Sequence, residues 1–276
     1  MPYLTFAALA IALLSLSNLL SPLAAGSCAD PVFLRIRDAP AAFDFAVPSG
    51  DAGGYYIDAL KRSGLMVPVA SCILADSLRS LCKAKQPRGI FVDVGAHVGW
   101  FSAMAASLGC DVVAIEPQDR AVQCIRATVA ANAADWRNVS VTVVHAAAGS
   151  SSGSASLSDL AASSDWALAS VTFGSSRESS SHTTRVVRID DAVRDALGGD
   201  ALARVVAVKV DVEGAEVSCT RPNPRGSSTS SRFICFLATL MPFCCSWMRW
   251  KGRRSASRQR RLFFWKPNAT VSLMQL

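Results

Sequence analysis

The segment FVDVGAHVGW, Phe91–Trp100, joins an apolar strand to a helix through two glycines. Gly89–Val94 reads as a short strand covered on both faces, because its apolar run is unbroken up to Asp93. Gly95 permits the sharp turn that follows and lets backbone N–H groups approach a ligand. Gly99 opens a helix over Gly99–Leu108, whose N-terminus attracts a carboxylate or phosphate. The alternation then continues: a strand at Asp111–Ile115, a helix at Asp119–Ala131, and a strand at Val139–His145, where Val139, Val141 and Val143 alternate. After a short strand at Arg185–Ile189 and a helix at Asp190–Leu197, Arg204–Val210 is a buried strand, apolar along its length except for Lys209. Strands that alternate with helices predict an α/β fold with a doubly wound, mostly parallel sheet. The order expected for the four main strands is 3-2-1-4, with the C-terminal half of the sheet incomplete.

The chemistry converges on the carboxyl ends of these strands, where open α/β sheets bind ligands. Glu116 ends the second strand, 17 residues after Gly99, placed to accept both ribose hydroxyls of a nucleoside. Glycine loop and acid together suit a dinucleotide or a methyl donor equally. The fourth strand separates them. VVAVKVDVEGAE, Val205–Glu216, sets Lys209, Asp211 and Glu213 at or just past a strand end. Carboxylates there favour a sulfonium cation electrostatically, and a base beside it serves methyl transfer to a poorly acidic hydroxyl.

DVGAHVGWFS, AIEPQ, the stretch Thr183-Thr184…Ile189-Asp190-Asp191 and KVDVEGAE follow one another in an order that resembles the FkbM-type methyltransferases. The resemblance spans residues 85–218 and is most specific in KVDVEGAE. It implies a class I fold, S-adenosylmethionine as cofactor, and O-methylation of a hydroxyl on a carbohydrate or secondary metabolite. By position, Asp93, Gly95, Ala96, His97, Gly99 and Glu116 would line the cofactor, and Asp211 and Glu213 would face the methyl group and acceptor as the catalytic pair. Many family members carry Asn at the place of His97; of the two roles open to its imidazole, base or packing group near the cofactor, the second is the expected one. A dinucleotide-binding reductase is the rival reading. It lacks a full GxGxxG pattern and a Tyr-x-x-x-Lys pair here.

Charge excludes one class of partner. Residues 1–218 hold 17 Lys/Arg against 21 Asp/Glu, a net of −4, whereas residues 219–276 hold 11 Lys/Arg and no acid. The overall +7 therefore belongs to the tail, and no nucleic-acid partner is expected for the acidic body. The nine cysteines include no CxxC pair and the three histidines no metal-ligand spacing, so no metal site is expected. Cys110 and Cys124 read as free buried thiols.

The flanks carry the compartment. No charge precedes Asp30, and residues 3–25 are nearly all apolar. Residues 1–27 read as a signal peptide or an uncleaved membrane anchor, which places the chain in the secretory pathway, lumenal or anchored, with membrane association through residues 3–25 in the second case. Residues 28–84 form a helical lead-in, irregular over 28–53 and helical at Tyr55–Leu60 and Val69–Lys83. With 14 serines, residues 150–181 read as a long surface loop. Asn138-Val139-Ser140 and Asn268-Ala269-Thr270 match the N-glycosylation pattern. Residues 219–276 change composition abruptly and read as an altered ending, through splicing or a shifted frame. Phe233–Met248 is too short for a comfortable membrane span. A truncated domain would leave the outer edge of Arg204–Val210 unpaired and the chain a poor enzyme or none.

Overall fold

The computed structural model describes residues 28–37, 41–49, 58, 60, 64–83, 87–158, 171–173, 181–212, 235–237, 262–266 and 269–274. The apolar leader, Glu213, Asn268 and most of the tail lie outside the described residues, as does most of the expected helix Tyr55–Leu60.

The first elements are a hairpin, β1 (Val32–Ile36) and β2 (Phe43–Val47), and a helix, α1 (Pro68–Lys83). The main sheet takes β3 (Ile90–Val94), β4 (Asp111–Glu116), β5 (Val141–His145), β10 (Val205–Val210) and β11 (Cys235–Leu237). Its order is β11-β10-β3-β4-β5, every pairing parallel. Helices α2 (Trp100–Ser107) and α3 (Asp119–Ala131) make the crossovers from β3 to β4 and from β4 to β5. The α/β class and the expected strand order 3-2-1-4 are therefore present.

Alternate side chains of the parallel strands enter two cores. Phe91, Val112 and Ala207 join one with α1, α2 and the hairpin; Ile90, Val92, Val94, Val113, Ile115 and Val208 join the other with helix α4 (Ile189–Leu197). Burial on both faces explains why these strands read as apolar runs rather than alternations. Helix α2 has Trp100–Ala106 buried without a polar face, as a helix between two layers requires. On α1, Ser71, Leu74, Ala75, Leu78 and Cys82 form the buried stripe, with Trp100 Nε1–H donating to Ser71 Oγ at 2.8 Å.

Three expectations of secondary structure change. The described residues within 28–53 are not irregular: Pro31 and Pro48 flank the hairpin, and Phe43, Phe45 and Val47 alternate into the core. Phe45 lies edge-to-face on Trp100 at 5.5 Å, and Phe43 sits 6.3 Å from Trp136. Burying rings of this size stabilises by ~1.5–3 kcal/mol each. The hairpin also hydrogen-bonds α3, its Ala46 N–H donating to Thr128 Oγ1 and its Asp44 N–H to Asn132 Oδ1.

The described residues of the serine-rich stretch likewise form strands rather than a loop alone. The stretch carries β7 (Gly153–Ser158) and β8 (Val171–Thr172) and leads into β9 (Ser181–Val187), which with β6 (Ala147–Ala148) make a second sheet of order β6-β9-β7-β8. Serine's small polar side chain is tolerated on a strand when Ala155, Leu157 and Val186 supply the buried side.

Finally, β11 runs parallel along the outer edge of β10, with Val208 opposite Cys235 and Val210 opposite Leu237. The edge expected to be unpaired is covered along Val208–Val210, because the tail's apolar run supplies a strand where only a short membrane segment was read. A short helix, α5 (Ala201–Arg204), precedes β10, and the distal tail forms a separate hairpin, β12 (Leu262–Lys266) with β13 (Ala269–Met274).

The cysteine reading is also corrected. Cys124 is paired with Cys28, and Cys110 with Cys82. Neither is a free thiol. Among the described residues, Cys72 on α1 is unpaired and exposed.

Candidate functional site

The carboxyl ends of β3, β4 and β10 meet at one place, and the turn after β3 fills it. Gly95 has φ +71°, and a Cβ there would lie 1.8 Å from the Asp211 carbonyl oxygen. Glycine is thus required for turn geometry and for close approach to the end of β10. Gly99 has φ +88°, and its Cβ would stand 2.8 Å from Ile125 Cγ1 on α3.

The turn's N–H groups point inward, which alters the role expected for them. Gly95 and Ala96 donate to the Ile115 carbonyl at 2.9 and 3.2 Å, and Gly99 donates to the Ala96 carbonyl at 2.9 Å. They hold the loop on β4 rather than forming a ligand cradle. The start of α2 has no side-chain cap and no acid in its first turn, so its dipole remains available to an anion.

Glu116 is 3% exposed at the end of β4. Its Oε2 accepts the His97 N–H at 2.8 Å and its Oε1 the Gln118 N–H at 2.9 Å. Each oxygen keeps a further lone pair for a hydroxyl. Burial pushes the carboxyl up to about 7, against the pull of these two bonds and of Lys209. The group is therefore poised between its two forms near neutral pH.

His97 adopts φ +51°, the left-handed region that Asn and His enter more readily than other side chains. Burial first, then Lys209 and Arg120, lowers the His97 imidazole to about 4, so it is neutral and a weak base. His145 and His182 are both exposed, His145 with Nε2 3.0 Å from the Pro117 carbonyl.

Beneath the loop lies an ion pair that sequence reading did not assign. Lys209 and Asp93 are cross-strand partners in the β10–β3 register, 4% and 1% exposed, with Nζ 3.2 Å from Oδ1. Ser102 Oγ donates to the other Asp93 oxygen at 2.7 Å. Lys209 Nζ also donates to the Gly95 carbonyl at 2.6 Å, approaches Asp211 Oδ2 at 3.9 Å, and lies 5.5 Å over the Phe101 ring. Burial disfavours its charge, but Asp93 and then Asp211 more than restore it, leaving the ammonium above its ordinary value. Its signal in the sequence was a lone charge inside an apolar strand.

The predicted residues Asp93, Gly95, Ala96, His97, Gly99, Glu116 and Asp211 thus gather at one end of the sheet, while Glu213 lies outside the described residues. Asp93 is covered by Lys209 and Ser102 and holds the loop through them. Asp93 and Asp211 already outnumber their one lysine, and an ionised Glu116 adds a further negative charge to the site.

No curated protein matches the chain significantly. Among solved structures it is similar to a methyltransferase FkbM from Methylobacillus flagellatus KT, at 18% identity over 51% of this chain and 32% of that one, TM-score 0.31. It is also similar to the tRNA (uracil-54, C5)-methyltransferase of Pyrococcus abyssi, solved with S-adenosyl-L-homocysteine, at 15% identity over 41% and 23%, TM-score 0.26. The chain spans about a third and a quarter of these proteins. The methyltransferase FkbM domain matches residues 93–239, past Glu216 and through β11, more than half of the 276 residues. The chain belongs to the FkbM methyltransferase family.

Proposed function

We propose that the chain is an S-adenosylmethionine-dependent O-methyltransferase that acts on a hydroxyl of a carbohydrate or secondary metabolite. The observation that carries this reading is the buried Glu116, flanked by Asp93 and Asp211 with Lys209 as their shared cation. The residues fit such a cofactor: an acid with free lone pairs for ribose, an uncapped helix start for a carboxylate, and surplus negative charge for a sulfonium. When bound, S-adenosylmethionine supplies an electrophilic methyl group. Glu116 accepts the ribose hydroxyls. Asp211, partly exposed at the rim, orients the acceptor hydroxyl and takes its proton, with Glu213 as its partner two residues on. Lys209 holds the Gly95 carbonyl and so fixes the loop between the two acids.

Cofactor titration by calorimetry tests the reading. Binding of S-adenosylmethionine without NAD(P) is expected, and the reverse would replace it with a dinucleotide enzyme. Glu116→Ala should weaken binding by ~1.5–3 kcal/mol, the scale of lost charge-assisted hydrogen bonds. Unchanged affinity would remove Glu116 from the site.

Proton linkage gives a second readout. Ribose donors and a sulfonium both favour the ionised form of Glu116, whose free-state value is about 7. Binding at pH 6 should therefore release a proton, and affinity should rise from pH 6 to 8. In the unliganded fold the sign is opposite. A raised folded value stabilises at low pH, and that contribution is lost as pH rises from about 4.5 through about 7. Glu116→Gln should flatten both trends, read by calorimetry in two buffers and by urea unfolding.

We assign the chain to the lumen of the secretory pathway, soluble after cleavage or held by residues 3–25. The apolar leader and two disulfides support this, since such bonds persist in oxidising compartments. Among the described residues no helix is long and apolar enough to cross a membrane. Protease protection in sealed microsomes checks the assignment; a fully accessible chain that keeps residues 1–27 would refute it.

A further inference from the structure

We propose that Asn138 is a site of N-linked glycosylation. Asn138-Val139-Ser140 has the acceptor pattern, and both Asn138 and Ser140 are exposed in the folded protein. Asn138 lies in the turn between α3 and β5, on backbone that is already secured. The Val139 N–H donates to the Trp136 carbonyl at 2.7 Å, Arg88 donates to the Asn138 carbonyl, and the Ser140 N–H donates to Asp111 Oδ1 at 3.0 Å. A glycan on the side-chain nitrogen breaks none of these bonds.

The turn sits where β5 begins, whereas Gly95, Glu116 and Asp211 lie where the parallel strands end. Five residues at ~3.3 Å each place the glycan about 15 Å or more from the candidate site, at the opposite end of the parallel strands. A large polar group there shields the sheet end without blocking cofactor or acceptor. The other matching asparagine, Asn268, falls in the basic tail.

The reaction takes a polyisoprenoid diphosphate-linked oligosaccharide as co-substrate and a lumenal transferase of the host. The Asn138 amide nitrogen attacks the anomeric carbon, and a C–N bond forms as the C–O bond to diphosphate breaks. The diphosphate carries away the electron pair and the amide gives up one proton. The proposal rests on the lumenal assignment above.

The full chain, with residues 1–27, is to be produced in eukaryotic cells and treated with peptide-N-glycosidase. One discrete downward shift in apparent mass is expected. Asn138→Gln and Ser140→Ala should each abolish it, Ser140→Thr should retain it, and Asn268→Gln should leave it unchanged. Cofactor affinity of Asn138→Gln should equal that of the parent, which separates loss of the glycan from loss of the fold. A protected, lumenal chain without the shift overturns the glycan and leaves the compartment standing. An accessible, unshifted chain overturns both. A shift that survives Asn138→Gln and vanishes in Asn268→Gln overturns the site.

Discussion

Lys209→Met is expected to lower folding stability by about 3–5 kcal/mol, because removal of one member of a buried ion pair strands the other's charge. Asp93 is 1% exposed, and Ser102 Oγ alone does not neutralise it. Methionine matches the length of the lysine stem, so lost packing contributes little. The substitution also frees the Gly95 carbonyl, held at 2.6 Å in the parent, and with it the loop whose His97 N–H holds Glu116. Cofactor affinity should therefore fall together with stability. The companion Asp93→Asn/Lys209→Met removes both charges and keeps an acceptor for Ser102. It should recover part of the lost stability, so that the two losses are not additive. Urea unfolding of the four proteins measures the coupling. If the single variant loses less than ~1 kcal/mol, the range of an exposed pair, the ion pair is not buried in solution.

This pair marks how far the sequence could be read. The strands Ile90–Val94, Asp111–Glu116 and Val205–Val210 were legible because burial on both faces leaves continuous apolar runs, and Glu116 because it ends one of them. Lys209 was visible as an anomaly, but its partner depends on register: Lys209 faces Asp93 only when the fourth strand lies beside the first in that alignment. Register is a tertiary property, set by packing and not by spacing along the chain. The same holds for the loop. Two glycines announced a turn, but not that the close neighbour would be the Asp211 carbonyl rather than a ligand. The hairpin before the domain was lost to its flanking prolines, although Phe43, Phe45 and Val47 alternate as a half-buried strand should. The strand along the outer edge of β10 lay inside the apolar run Phe233–Met248, whose length drew attention as a membrane segment and gave no strand period of its own. It forms because an apolar parallel strand leaves unpaired N–H and C=O groups that the next extended segment can satisfy.

Cysteine pairing was least legible, since spacing does not determine connectivity, and it yields the second large effect. Cys28→Ala/Cys124→Ala is expected to cost ~2–5 kcal/mol in non-reducing buffer. The bond closes a loop of 96 residues, and a crosslink of that span removes much of the unfolded chain's freedom. It also ties the first described residue of the chain to α3, beside the hydrogen bonds that the hairpin donates to Thr128 and Asn132 and the Phe43–Trp136 contact. These contacts keep the hairpin docked in the variant, so the loss should appear chiefly as easier unfolding and not as a changed fold. Cofactor affinity should move little, because Cys124 faces the hairpin side of α3 while Ile125 packs behind Gly99. The Cys82–Cys110 bond, spanning 28 residues, should contribute less, as the shorter loop implies. Reductant should destabilise the parent toward the quadruple variant lacking both bonds and leave that variant unmoved. Peptide mapping without reduction should recover the Cys28–Cys124 crosslink. Coincident unfolding curves for parent and double variant in non-reducing buffer would show that this bond contributes nothing to stability, and a peptide map without the crosslink would remove one support for the lumenal assignment.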